Sequence, residues 1–454
     1  MTDATPATGA ITRASVMRVG VATALSALCG YAVMYLAARD LAPEGFSVFS
    51  VFWGAFGLVT GAANGLLQEA TREVRSVRHT PGPAVRRTRP MLIATLVAGL
   101  AAAAIVGTAP VWAGHVFAEA RPLSVLLLAA GVAGFCLHAT LLGMLAGVNR
   151  WTQYGSLMVT DAAIRVVVAA ATFAVGWGLV GFLWATVAGA VAWLLMLLVS
   201  PSARQAARVR TAGGTVAFLR GASHSIAAAG ASAVLVTGFP VLLKATYGDL
   251  GAAGGVVILA VMLTRAPLLI PLTAMQGNLI AHFVDERARR LRALVAPVGV
   301  VVTVGAVGVV GAGLVGPWLL RVAFGPDYVA DGSVLAWLTA AATSIAVLTV
   351  TGAATVAAAL HRAYAVGWVS ATVASTLLLL VPSALETRAV VALLCGPLVG
   401  IGVHLLALLG HGPDRRAGTA ANTLPTCLGW GPVARATSDG MWCVRCSRPT
   451  CRSW

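Results

Sequence analysis

The sequence predicts an all-α polytopic membrane protein of about twelve transmembrane helices in two six-helix lobes, and three observations carry that reading. Hydrophobic residues make up 59% of the 454 and charged residues only 10%, more apolar surface than the core of a soluble domain this size needs. Apolar stretches of the length a bilayer demands, about 20 residues each, recur twelve times. Short sequence matches at an offset of about 210 residues divide those stretches into two sets of six.

In chain order, a cytoplasmic N-terminus (1–14) precedes spans at 15–38, 46–68, 91–113, 122–147, 155–175 and 178–199, which form the first lobe (15–199). A basic cytoplasmic linker (200–222) leads to spans at 223–243, 251–281, 294–316, 333–360, 363–382 and 389–409, the second lobe (223–409). Trp112, Trp177 and Trp318 near one set of span ends and Trp151 near the other read as interfacial anchors. The first span is too long and too weakly bounded for a cleaved signal peptide, so it stays as a helix.

Charge sets the orientation. With the N-terminus inside, the inner loops before the tail hold eighteen arginines: 13, 18, 72, 75, 78, 86, 87, 89, 150, 204, 208, 210, 220, 287, 289, 290, 292 and 362. The outer loops hold Arg39, Arg121, Lys244, Arg321 and Arg388. Eighteen against five places both termini in the cytoplasm, in the cytoplasmic membrane. The net charge of +16 therefore marks topology and contact with anionic membrane lipids, and no nucleic-acid partner is implied.

The repeat rests on two matches. Asp40-Leu41 with Gly45 opens the second span as Asp249-Leu250 with Gly254 opens the eighth, and Arg150 with Gly155 enters the fifth as Arg362 with Gly367 enters the eleventh. Six spans per copy make the repeats parallel, related by an axis along the membrane normal, the arrangement in which transporters place substrate between halves.

Arg265 is the single charged side chain between Gly251 and Ala281. A guanidinium in mid-membrane costs about 2.5–3.5 kcal/mol on insertion scales, so it needs an anionic or polar partner. Pro267 and Pro271 follow it and bend or loosen the helix, which a membrane tolerates where the freed groups face protein or water. Two partners fit: a phosphate of a bound substrate, matched to guanidinium geometry, or a carboxylate on a neighbouring span, for which Asp161 and Glu69 are the candidates. Asp161 and Arg165 stand four apart on one face of the fifth span and form an ion pair or a coupling site; their counterparts by the repeat, Val373 and Leu377, are apolar.

Asn64, Gln68 and Glu69 at the inner end of span two, and Gln276 with Asn278 on span eight, either line an inward-open mouth or make helix-packing hydrogen bonds. Gln276 lies about three turns from Arg265 and near its face. His138, His224 and His404 read as packing residues, as do Cys29, Cys136 and Cys395. From 410 onward the composition shifts to Pro, Gly, Arg, Trp and Cys. Cys427, Cys443, Cys446 and Cys451 lack the paired spacing of a zinc site, so no metal or cofactor is expected, and the tail (410–454) is expected to be disordered.

Residues 37–49, Ala-Ala-Arg-Asp-Leu-Ala-Pro-Glu-Gly-Phe-Ser-Val-Phe, resemble the A-R-x-L-G-P-x-x-F-G-x-F signature of polysaccharide and oligosaccharide-lipid flippases in the multidrug/oligosaccharidyl-lipid/polysaccharide (MOP) exporter superfamily. The resemblance continues through Gly65-Leu66-Leu67-Gln68-Glu69-Ala70-Thr71-Arg72 and the twelve-span layout, with Ala42 and Ser47 where the family usually has glycine. It implies outward export of a polyprenyl-linked glycan by alternating access, for cell-surface polysaccharide assembly. The likeness to lipid II flippases implies a cavity-lining role for Arg265.

Short outer loops leave no room for a membrane glycosyltransferase's catalytic region, so an enzyme is not expected. Two other readings stand beside export: a cation-coupled drug or metabolite antiporter of the same superfamily, which favours acidic cavity residues, and a non-transporting scaffold that recruits glycan-assembly enzymes through its basic loops.

Overall fold

The computed structural model describes residues 13–79, 88–211, 214–286 and 289–410; the Cys-containing tail lies outside them. The described chain is helical: α1 (Arg13–Asp40), α2 (Ala42–His79), α3 (Pro90–Val116), α4 (Arg121–Gly147), α5 (Trp151–Val175), α6 (Gly178–Ala188), α7 (Ala192–Val199), α8 (Pro201–Ala207), α9 (Thr215–Val236), α10 (Phe239–Tyr247), α11 (Gly251–Asp285), α12 (Arg290–Phe324), α13 (Gly332–Ala357), α14 (His361–Leu379) and α15 (Leu385–Gly410). A 3-10 turn, Gly189–Val191, joins α6 to α7. Proline stands in the first turn of α3, α4, α8 and α10, where its missing N–H costs no hydrogen bond.

Ten of these helical segments, with α6 and α7 taken together, are long and apolar enough to cross a membrane, and an eleventh arises if α9 and α10, bent by 65° at their junction, count as one span. The twelfth expected span is α14. Its 19 residues form a helix, but His361, Arg362, Ser370, Thr372, Ser375 and Thr376 make it too polar to qualify by composition. It is carried by close packing on α15, the most extensive helix pairing among the described residues.

The basic linker 200–222 holds α8, an antiparallel bridge between Thr88 and Thr211, and the first two turns of α9. One 35-residue helix, α11, runs through both Pro267 and Pro271. A break falls at Thr237-Gly238, just ahead of Pro240.

The repeat is visible in the backbone. Asn149 (φ 59°) and Ala359 (φ 60°) take the left-handed conformation after α4 and α13. In each copy the next residue bonds five back, Arg150 N–H to Leu145 O and Leu360 N–H to Thr355 O, both at 2.9 Å, which is a Schellman ending. Ala42 (φ 53°) and Gly251 (φ 50°) likewise open α2 and α11. These pairs fix the offset at 209–210, so Tyr154 matches Tyr364 and the expected pairing of Gly155 with Gly367 is two residues out of register. The same helix pairs then recur in both copies: α1 on α5 and α9 on α14, α2 on α4 and α11 on α13, α3 on α4 and α12 on α13, α5 on α6 and α14 on α15.

Candidate functional site

The copies meet where α2 packs on α11 and along two flanking seams that the repeat makes equivalent, α2 against α9 and α11 against α1, yet these seams differ. Along α2, Gly54 faces Pro240, Gly57 faces Thr237, Gly61 faces Ala233 and Gly65 lies against the backbone of Ser225 and Ile226, where a Cβ would overlap it. Small residues let two backbones approach this closely in lipid. At the matching register α11 carries Ala266-Pro267 and Ile270-Pro271 where α2 carries Gly57 and Gly61. Without glycine, α11 and α1 do not zip together, and their contact is sparse.

At this looser seam lies a cavity of about 280 Å³, lined by Thr23, Ala27 and Tyr31 of α1, Trp53 of α2, the Val236–Pro240 break, and α11 from Ile258 through Arg265 to Thr273. The ends of α1 and α11 nearest Asp40 and Asp249 close it. A Cβ on Gly255 would overlap the Pro43 carbonyl, Tyr328 donates its hydroxyl hydrogen to the Ala38 carbonyl at 2.9 Å, and Tyr35, Phe324, Tyr328 and Phe46 form a chain of edge-on ring contacts. Burial, first, and then the neighbouring Asp327 carboxylate push the Tyr328 phenol well above its ordinary pKa, so it remains a donor.

Arg265 is 7% exposed. Its Nη1 donates to the Val236 carbonyl at 3.1 Å, and its guanidinium carbon sits 5.4 Å from the centre of the Phe239 ring. Val236 ends α9, so its carbonyl has no partner within that helix, and a cation there also meets the negative end of the helix dipole. The break thus supplies one partner. Nη2, also buried, has none among the described residues. Tyr31, across the cavity, spends its hydroxyl hydrogen on the Met262 carbonyl at 3.3 Å.

Neither carboxylate proposed for Arg265 reaches it. Glu69 and Glu73, both buried, hold Arg72 instead, and Glu69 packs where a Cβ on Gly221 of α9 would stand. Asp161 pairs with Arg165 at 3.0 Å. Arg165 also donates to the Thr186 carbonyl at 2.6 Å and covers the Phe56 ring at 5.0 Å. At the corrected register their counterparts are Ala371 and Ser375, not Val373 and Leu377. Ser375 repeats the link in short form by donating to the Ala392 carbonyl at 2.9 Å.

Asn64 and Gln68 do not line the cavity. Asn64 follows Trp53 by eleven residues, about three turns, and so shares its face; Asn64 is half-buried and Gln68 exposed. The side chains of Gln276 and Asn278 lie outside the described residues. His404 is fully buried, with its nitrogens 3.0 Å from Thr351 Oγ1 and 3.3 Å from Tyr364 O, and His138 stacks on Phe135. Among the described residues no three His, Cys, Asp or Glu side chains gather as metal ligands.

Sequence reasoning missed Val236 and Phe239, the residues Arg265 touches. Gly238-Phe239-Pro240 was the available signal, since proline in a first turn marks where a new helix starts.

No protein-family model matches the chain. Its fold is similar to that of an inward-facing multidrug resistance MATE family transporter of the MOP superfamily, with a TM-score of 0.66 and 15% identity over 90% of this chain and 99% of the other. An outward-facing structure of such a transporter gives a TM-score of 0.63 at 14% identity, over 90% and 96%. In sequence, the chain is 71% identical over 401 residues to "Uncharacterized protein Rv3630" of Mycobacterium tuberculosis, covering 88% of this chain and 93% of the relative. It is 67% identical to "Uncharacterized protein Rv1510" of the same organism over the same shares. The chain therefore belongs to the family that includes Rv3630 and Rv1510, and its fold is the one seen in MATE transporters.

Proposed function

We propose that this protein is a MOP-type transporter that exports an anionic, lipid-linked glycan across the cytoplasmic membrane by alternating access between its two halves. The observation that carries the reading is Arg265: a buried guanidinium whose Nη2 has no partner among the described residues, in an inter-half cavity with no carboxylate in its described lining. Phosphate or pyrophosphate matches a guanidinium in charge and donor geometry. Thr23, Thr237 and Thr273 add hydroxyls for a polar headgroup. The unzipped α1–α11 seam leaves a side exit through which the lipid tail stays in the bilayer. Asn64 and Gln68 continue the polar path toward the cytoplasm, and Asp161 with Arg165 serves as an ion pair or coupling site in the first lobe. Glycan-assembly enzymes on either side are the partners such an export step needs.

An interior-negative potential favours outward movement of an anion by about 2.3 kcal/mol per charge per 100 mV, so transport needs no nucleotide. The test is a reconstituted flipping assay with polyprenyl-pyrophosphate glycans, run with and without an imposed potential. Transport that the potential accelerates, and that Arg265→Ala abolishes in protein that still inserts, supports the reading. Wild-type rates in Arg265→Ala overturn it.

The multidrug transporters of similar fold suggest a second reading, extrusion of cationic drugs. The cavity's formal charge opposes it, since Arg265 repels a cation. Protection of cells from cationic dyes, with no effect on surface glycan, would establish it.

A further inference from the structure

A second groove, of about 450 Å³, runs between α1 and α5 on the side of α1 away from the Arg265 cavity. Its walls are Met17, Val21, Ala22 and Leu25 of α1 and Gly155 and Val159 of α5, and its head end holds Arg18, Trp151, Thr152 and Ser156. Met17, Val21 and Leu25 are 67%, 53% and 44% exposed, so the trough opens outward to lipid. Gly155 lets α5 approach α1 here, with Ala22 Cβ 3.3 Å and the Arg18 carbonyl 3.9 Å from its Cβ position.

The head end is cationic and anchored. Arg18 Nη1 donates to Thr152 Oγ1 at 3.0 Å, which leaves its other guanidinium hydrogens for a second acceptor. Arg75, from α2, lies over the Trp151 ring at 5.7 Å, and its buried Nε has no partner among the described residues. Trp151 begins α5, at the level where tryptophan marks the membrane interface. The Arg18 guanidinium, the Thr152 hydroxyl and the Trp151 indole line the head of the groove, with Arg75 adding charge over the indole and the Ser156 hydroxyl hydrogen given to the Thr152 carbonyl; above an apolar trough that descends along the span, they match a phosphate headgroup and an acyl chain respectively. A soluble anion has no use for the trough, and a zwitterionic lipid brings a cation to two arginines.

We infer that this groove is a binding site for an anionic phospholipid of the leaflet at the α5 N-terminus, separate from the transport cavity. The lipid lies across the α1–α5 seam and braces the helix whose opposite face, at Thr23, Ala27 and Tyr31, walls that cavity.

Native mass spectrometry of the full chain, purified from detergent with equal phosphatidylglycerol and phosphatidylcholine added, tests it. The wild type retains one phosphatidylglycerol in preference to phosphatidylcholine, and the Arg18→Gln/Arg75→Gln variant lowers that retention at least tenfold. Val159→Trp, which fills the trough and leaves both arginines in place, lowers it comparably. An unchanged thermal midpoint in phosphatidylcholine shows that each variant is folded. Should a variant fail to fold, phosphatidylglycerol brominated along its acyl chains is added to the wild type and to Trp151→Phe: quenching that is lost with Trp151 and weak with brominated phosphatidylcholine supports the site. Equal retention of the two lipids by the wild type, unchanged retention in either folded variant, or quenching indifferent to headgroup or to Trp151 overturns it.

Discussion

Tyr328 gives its hydroxyl hydrogen to the Ala38 carbonyl across 290 residues of sequence, at 2.9 Å, and so ties the α12–α13 loop to the end of α1. Both residues are 1% exposed, so this bond belongs to a closed end of the molecule. A transporter that alternates must break it in its other state. Tyr328→Phe keeps the ring contacts and removes about 1 kcal/mol of net hydrogen bonding, about a fivefold shift in a two-state balance. Spin-label distances between the ends of α1 and α13 check it. The open population rises in the variant, and an unchanged distribution means the bond does not gate.

Arg265 has two jobs to separate, holding the Val236 carbonyl and presenting a charge to the cavity. Arg265→Lys keeps the charge and loses the planar fork, so transport falls yet stays above that of Arg265→Gln, which keeps a donor for Val236 and loses the charge. Equal transport by the lysine and glutamine variants, measured in proteoliposomes, assigns Arg265 to the helix break alone.

Asp161 and Arg165 are mostly buried, and removing one partner leaves the other uncompensated, which costs about 3–5 kcal/mol. Asp161→Asn is expected to lower the unfolding midpoint of the purified protein more than Asp161→Leu/Arg165→Leu, where no charge is stranded. The reverse order counts against a structural pair.

Gly65 touches the α9 backbone, which cannot retreat as a side chain tip does. Gly65→Val forces α2 and α9 apart and destabilises the protein by about 1–3 kcal/mol, readable as a lower thermal midpoint. Gly99→Val on α3, where nothing lies within 4 Å of the Cβ position, has little effect.

Much of the fold was legible because the bilayer demands apolar length, and length is written in sequence. The span ends near Asp40, Gly147 and Asp249 come within a few residues, and the repeat was visible in Leu41-Gly45 and Leu250-Gly254. Its second match failed because residue identity, Gly155 with Gly367, outweighed geometry, in which Tyr154 and Tyr364 begin the same turn. Arg265 stood out by its cost, but its partner did not. A carbonyl freed by a broken helix is a backbone group, and no side chain in the sequence announces it. The α14 span, expected at 363–382, was legible too, although its polar residues leave it short of the composition of a span and packing on α15 holds it.

The glycine contacts along α2 have a mechanical consequence. They fasten α9, the first helix of the second half, to the first half from Ser225 to Ala233, and continue past its end to Thr237 and Pro240. Because α2 holds both sides of the α9–α10 break, Ala233 and Thr237 on one and Pro240 on the other, any rocking of the halves carries α9 and the start of α10 together with the first body, and Arg265, bonded to Val236, ties α11 of the second half to that shared body.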